Sequence, residues 1–177
     1  MRGPIHELAK KVMCITPNYH PQREIFMNIA GQKIKNSVVT EIGKFAILWN
    51  YFEHSHCNNH CNSSKIKEIA NFINISEEKT NNLREALKNR MDIYEENITS
   101  YVHQGLHPTG SYPPKEQDEL YMNLFINDNN EPIINTIGCL LVIQRIRNNM
   151  MHGLKDIHEL ESQLELFKAV NGVLEDI

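Results

Sequence analysis

Residues 133–153 read IINTIGCLLVIQRIRNNMMHG, an apolar run that ends in basic and polar residues. The apolar run is far shorter than the roughly 20 residues of a membrane span, and it lacks the alternation of a half-buried strand. It predicts a helix that is buried along its body and stops at Gly153, since glycine favours the position just after a helix. The polar end brings a guanidinium, an amide and an imidazole around one turn, a combination that can bind and cleave a phosphodiester.

The rest of the chain predicts helices as well. Apolar residues recur at three- and four-residue steps, as on the buried face of an amphipathic helix, and strand alternation is nearly absent. Helices are expected from Asn36 to about Phe52, from Ser63 to Ile73, from Ser76 to about Gln104, from Lys115 to Phe125, from Glu131 to about Met151, and from Asp156 onward. With only 8 glycines and 7 prolines in the chain, the predicted fold class is all-α, an antiparallel helical bundle.

The N-terminal part differs from this pattern. It holds three of the seven prolines and shows weak periodicity, so residues 1–35 are expected to form an irregular or partly helical lead-in. The length of 177 residues suits one domain. Residues 1–177 are therefore predicted to form a single domain whose core covers about 36–177.

Composition limits the functions that are open to the chain. Hydrophobic residues make up 41% and charged residues 23%, which is ordinary for a soluble globular protein. The formal net charge of −4 argues against a general nucleic-acid coat but leaves room for RNA held in one local basic groove. The four cysteines are irregularly spaced and do not suggest a disulfide framework. The N-terminus lacks the apolar core of a signal peptide, so a cytoplasmic protein without a membrane partner is expected.

Helical geometry groups the residues of the polar end. Residues three, four and seven apart share one side of a helix, which places Arg145 with Asn148, Asn149 and His152. Arg147 lies five positions before His152, about 140° away around an ideal helix. Spacing alone therefore favours Arg145 at least as strongly as Arg147. A structural alternative needs no function, because Arg and His often end helices where they complement the helix dipole.

The motif Arg147-Asn148-x3-His152, followed by glycine, resembles the Arg-polar-x3-His signature of HEPN domains (higher eukaryotes and prokaryotes nucleotide-binding). The order of the parts is similar too. An early amphipathic helix carries Trp49 and Glu53, the motif ends the penultimate helix, and a final amphipathic helix closes the chain. The resemblance covers, loosely, the helical core predicted above.

The resemblance implies a HEPN-like bundle that dimerises, so that the motif helices of two copies form a composite cleft. Many HEPN proteins are metal-independent endoribonucleases of toxin–antitoxin systems, antiviral defence or RNA processing. A homodimer that cleaves RNA by attack of the 2′-hydroxyl, without a cofactor, is therefore expected. In some members the partner is a nucleotidyltransferase antitoxin. Other members are non-catalytic modules that bind nucleotide, RNA or a partner protein, and this remains the alternative.

The family pattern also assigns roles to residues. It implies that Arg147 binds the phosphate or stabilises the transition state, that His152 is the general acid or base, and that Asn148 orients the site. The pattern tolerates four to six residues between the arginine and the histidine, so Arg145 fits it as well. Further substrate contacts are expected from three residues: Arg145, Asn149 and Lys155.

Glu53 is a candidate for orienting the arginine. It lies four residues after Trp49, on the same helical face. A buried carboxylate at this position needs a partner such as Arg145 or Arg147.

A second cluster of reactive side chains follows the first long helix. Residues 54–61 hold five potential metal ligands, and the four that form i, i+4 pairs are His56 with His60 and Cys57 with Cys61. A polar helix end that is rich in His and Asn explains this segment without a metal. No metal is therefore expected, and a zinc site at these four residues is the weaker alternative.

Overall fold

The computed structural model describes residues 24–29, 31–93, 98, 101–105, 116–128, 131–151 and 160–177. Within these residues the chain is mostly helical, which confirms the predicted all-α bundle. The α-helices are α1 (Asn36–Cys57), α2 (Ser63–Ile69), α3 (Glu77–Ile93), α4 (Glu116–Ile126), α5 (Pro132–Met151) and α6 (Leu164–Leu174). Short 3₁₀ segments cover Ala70–Phe72 and Glu161–Gln163, and a π-helical turn covers Tyr101–Gly105.

Helix α5 forms the centre of the core, as its apolar run predicts. Its residues 139–143 are fully buried, and α4 and α2 pack against it. Gly138 makes the close approach of α4 possible. A Cβ atom at this position would overlap the Tyr121 carbonyl oxygen and the Phe125 Cβ atom of α4. A larger residue would therefore force α4 and α5 apart.

Helix α6 packs on α1 and α3 at the other side of the bundle. The ring of Phe167 lies 5.9 Å from that of Phe45 on α1, and both rings are fully buried. The Asn171 side-chain amide donates to the Glu41 carbonyl oxygen at 2.9 Å and to the Glu41 carboxylate at 2.7 Å. These contacts fix α1, and with it the residues that α1 presents to α5.

An antiparallel hairpin occupies part of the lead-in that the sequence predicts to be irregular or partly helical. Strand β1 (Phe26–Ile29) pairs with β2 (Gln32–Lys35), with Phe26 opposite Lys35. Gly31 lies between the strands with a φ of +81°, a conformation that glycine adopts at little cost. The strands are too short for a recognisable alternation, and of their residues only Ile34 is buried. Residues 1–23 lie outside the described part of the chain.

Helix α1 is longer than its apolar stripe predicts. It continues past Phe52 to Cys57. Asn58 then adopts a left-handed conformation, with a φ of +52°, and its N–H donates to the Glu53 carbonyl oxygen. The extra turn brings Cys57 close to the residues that precede α2.

Two other predicted helices have different bounds in the structure, one at its end and one at its start. The helix predicted to reach Gln104 is described as α3 up to Ile93, with the π-helical turn beyond it. The sequence predicts a last helix from Asp156, which lies outside the described residues, and α6 itself begins at Leu164. None of the described helices is long and apolar enough to cross a membrane.

Candidate active site

Helix α5 presents its two arginines to different neighbours. Residues two positions apart point about 160° away from each other on an α-helix. Arg147 leans toward α1, where its Nη2 lies 3.8 Å from Glu53 Oε2. Arg145 lies on the side of α4, where its charge interacts with those of Asp118 and Glu119. The two arginines therefore do not form one continuous cationic patch.

Arg145 is half-buried among carboxylates that have other partners. Burial lowers the pKa of Arg145, and the charges of Asp118 and Glu119 oppose this shift. Asp118 is 2.6 Å from the Lys67 ammonium group, and Glu119 is 2.7 Å from the His103 ring. The buried Arg145 Nε has no hydrogen-bond partner among the described residues. Arg145 is thus a half-buried positive charge on the α4 side of the bundle. It stays protonated because arginine does so at any working pH.

Glu53 connects three parts of the site. Its Oε2 accepts a hydrogen bond from the indole Nε1 of Trp49 at 3.1 Å, one helical turn earlier, and faces Arg147. Its Oε1 accepts a bond from the backbone N–H of Cys61 at 3.3 Å, in the segment after α1. The carboxylate is therefore held on both oxygens, and its charge balances that of the guanidinium.

Arg147 keeps much of its hydrogen-bonding capacity. A guanidinium has five N–H donors, and here Nη1 donates to Asn148 Oδ1 at 3.1 Å. The 3.8 Å contact with Glu53 is an ion pair that is too long for a good hydrogen bond, and Nε has no partner among the described residues. The side chain is 31% exposed, and its Cζ lies 5.9 Å from the Trp49 ring centre. Arg147 is thus charged, positioned and reachable from solvent, as a phosphate ligand must be.

The other predicted residues of the motif differ in how they are placed. Asn148 is half-buried beside Arg147. Asn149 is buried with 7% exposure, so its side chain lies in the interior of the bundle rather than in a surface groove. His152 and Lys155 lie outside the described residues. Their roles, and the choice of the arginine that faces His152, stay predictions.

Gln144 also belongs to this site, and it is not among the residues that the sequence predicts. It lies one turn before Arg147 on α5, and its Nε2 donates to the carbonyl oxygen of Cys61. The Cys61 N–H donates to Glu53, so the two backbone groups of Cys61 are bound by Glu53 and Gln144. In the sequence, Gln144 is a single amide side chain at the end of the apolar run, three residues before Arg147.

The thiols of Cys57 and Cys61 lie beside the Glu53 carboxylate. Their sulfurs are 2.8 Å apart and share a hydrogen bond. This bond lowers the pKa of the Cys57 thiol and, together with burial, raises the pKa of Cys61. The ring of His56 stacks on Phe52, with centres 5.5 Å apart. In the part of the chain that the structure describes, no three His, Cys, Asp or Glu side chains are grouped to hold a metal ion. These residues therefore provide no set of ligands for the alternative zinc site.

A separate polar cleft of about 510 Å³ lies between α3 and the start of α5. Arg84, which is 4% exposed, lines this cleft. Its Nε donates to the Phe125 carbonyl oxygen at 2.8 Å, and its Nη1 lies 3.1 Å from the Asp128 carboxylate. These bonds tie α3 to the turn after α4. Arg84 therefore joins helices, and none of the predicted site residues lines this cleft.

Comparisons with known proteins add no relative to this picture. No model of a protein family matches the chain, and neither a curated protein nor a solved structure matches it significantly.

Proposed function

We propose that this protein is a metal-independent endoribonuclease of the HEPN type. The placement of Arg147 carries the proposal. Glu53 holds this arginine at the end of α5, while most of its donors have no partner among the described residues. The HEPN-like motif adds Asn148 beside it and His152 five positions later in the sequence.

RNA supplies its own nucleophile, so a small set of groups suffices. In the proposed reaction His152 takes the proton of the 2′-hydroxyl, and the 2′-oxygen attacks phosphorus. The bond from phosphorus to the 5′-oxygen breaks, this oxygen takes up a proton, and a 2′,3′-cyclic phosphate remains. Arg147 binds the non-bridging oxygens and stabilises the charge that develops on them.

A second copy of the chain would supply the second proton-transfer group. Attack and leaving-group departure need a base and an acid, whereas the motif of one chain has one histidine, His152. Two-fold symmetry brings identical patches together, so a homodimer with facing motif helices would place two histidines and two arginines in one cleft. The proposal therefore includes homodimerisation, with RNA as the substrate. It also includes a toxin–antitoxin or antiviral setting, in which a nucleotidyltransferase antitoxin is a candidate partner.

Incubation of the purified protein with total RNA in the presence of EDTA tests the proposal. The wild-type protein should cleave RNA and leave 2′,3′-cyclic phosphate ends, and His152→Ala should abolish cleavage. Arg147→Ala should do the same, whereas Arg145→Ala should retain most of the activity. Circular dichroism and light scattering control for folding and for dimer formation. Equal cleavage by wild type and His152→Ala, or no cleavage by a folded wild-type dimer, would contradict the nuclease proposal.

Exposed apolar side chains on α1 favour a second candidate function, a non-catalytic module that binds a partner. Ile47 is 72% exposed and Tyr51, one turn later, is 64% exposed. Apolar residues of this kind often mark contacts with other molecules. For such a module His152→Ala should leave the binding of the partner unchanged, whereas Ile47→Glu should abolish this binding. If Ile47→Glu instead abolishes both the dimer and RNA cleavage, this face of α1 serves the nuclease.

A further inference from the structure

The thiols of Cys57 and Cys61 are in contact with each other, next to the residues that hold Arg147. Both are free thiols, and their sulfurs are 2.8 Å apart. Cys57 ends α1, and the left-handed residues Asn58 and Asn59, with φ of 52° and 61°, turn the chain back so that Cys61 meets it. A disulfide has a sulfur–sulfur distance of about 2.05 Å. Closure of the bond therefore needs an approach of only about 0.8 Å.

We propose that Cys57 and Cys61 form a reversible disulfide whose state is transmitted to the contact between Glu53 and Arg147. The formation of the disulfide and its effect on this contact do not depend on RNA cleavage. Its use as a control of cleavage rests on the nuclease function proposed above.

The oxidant is a small-molecule disulfide, and the reaction is a thiol–disulfide exchange in two steps. One thiol of the pair loses its proton and attacks one sulfur of the oxidant, whose sulfur–sulfur bond breaks and releases one thiol. The other thiol of the pair then loses its proton and attacks the protein sulfur of the mixed disulfide, which releases the second thiol. The pair gives up two electrons and two protons, and the oxidant becomes two thiols. An external dithiol reverses both steps.

The backbone of Cys61 couples this pair to the candidate site. Its N–H donates to Glu53 Oε1 at 3.3 Å, and its carbonyl oxygen accepts a bond from Gln144 on α5. Movement of Cys61 toward Cys57 therefore pulls on the carboxylate that faces Arg147 across 3.8 Å. An ion pair at this distance, without a good hydrogen bond, changes easily when its carboxylate moves.

Trp49 provides a direct readout of this coupling. It is the one tryptophan of the chain, it is 3% exposed, and its indole donates to Glu53 at 3.1 Å. A shift of the Glu53 carboxylate changes the hydrogen bond and the field at the indole, and therefore its fluorescence.

The full-length protein is equilibrated with buffers that hold defined ratios of reduced and oxidised glutathione. Intact-mass measurement should show the loss of two hydrogens in one transition, and the Trp49 emission should change with the same midpoint. Cys57→Ser and Cys61→Ser should lose both changes. The matched controls Cys14→Ser and Cys139→Ala should keep them, and circular dichroism verifies that all four variants are folded.

Each outcome bears on one part of the inference. A wild-type protein that stops at a glutathione adduct, or that remains a dithiol at every ratio, overturns the disulfide. A disulfide that forms while the Trp49 emission stays constant overturns the coupling to Glu53. If both changes occur and no RNA is cleaved in either state, the inference stands and the nuclease function fails.

Discussion

Replacement of Glu53 by Gln tests whether Arg147 is held by a charge or only by packing. Glutamine keeps the size of the side chain but removes the charge that faces the guanidinium at 3.8 Å. Two unit charges at this distance attract by about 4 kcal/mol at an effective dielectric constant of about 20, and by about 1 kcal/mol in bulk water. The two side chains are 31% and 21% exposed. The pair therefore lies between an exposed ion pair, worth about 0.2–1 kcal/mol, and a buried one whose disruption costs about 3–5 kcal/mol.

We expect Glu53→Gln to lower the free energy of unfolding by about 2 kcal/mol, about half from the lost charge and half from the weaker bond to the Trp49 indole. For a chain of this length the corresponding fall in Tm is about 4–8 °C. Urea unfolding at neutral pH, followed by Trp49 fluorescence, measures the change. The matched control Glu85→Gln alters an exposed side chain in the middle of α3 and should stay within about 0.5 kcal/mol of wild type.

If the free energy of unfolding of Glu53→Gln lies within about 0.5 kcal/mol of the wild-type value and its tryptophan emission is unchanged, Arg147 is held by packing and not by the charge of Glu53. A second readout separates orientation from stability. Where the variant remains folded, the rate of RNA cleavage should fall by up to about 100-fold, because Arg147 is no longer held in register. A loss of stability at an unchanged rate would make Glu53 a structural residue alone.

Three other predictions concern the scaffold. Gly138→Ala should lower the free energy of unfolding by about 1–3 kcal/mol, measured by thermal unfolding, because the added methyl group overlaps the Tyr121 carbonyl oxygen. The Ser76 N–H donates to Asp176 at 2.7 Å and lowers the pKa of this carboxyl below its usual 3.8, so its stabilisation is present above that value and lost as pH falls through the lower folded-state pKa. Asp176→Asn should therefore be less stable than wild type near neutral pH, and the two unfolding curves should converge in acid. Burial raises the pKa of Cys139 to about 12, so a thiol reagent at mildly alkaline pH should label it only after urea unfolds the chain.

The helices were predictable because their signal is local. The buried face of an amphipathic helix recurs at three- and four-residue steps whatever it packs against, as the apolar residues of α6 do. Helix α5 is instead predicted by its apolar run, of which residues 139–143 are fully buried. The hairpin of β1 and β2 carries no comparable signal. Its strands are short, and only Ile34 among their residues is buried, so the two faces hardly differ in polarity. The hairpin was therefore not predicted because its strand residues are weakly buried, and not because its residue types are unusual.

The candidate site was predictable only as far as single helices determine it. Trp49 and Glu53 are four residues apart, so their hydrogen bond follows from helix geometry. The same geometry separates Arg145 from Arg147. Which arginine meets Glu53 depends on the rotation of α5 relative to α1, and this rotation is set by tertiary packing such as the close approach at Gly138. Local spacing carries no information on that rotation, which is why the sequence left both arginines as partners.

The surroundings of the two arginines favour Arg147 as the ligand of a phosphate. An anion that approaches Arg145 also approaches the charges of Asp118 and Glu119, and like charges in a half-buried environment repel strongly. Beside Arg147 the neighbouring carboxylate is that of Glu53, which is held by two hydrogen bonds on the α1 side. It can orient the guanidinium without occupying most of its donors. We therefore propose Arg147, rather than Arg145, as the residue that would bind a phosphate, and this proposal applies to a bound RNA whether or not the chain cleaves it.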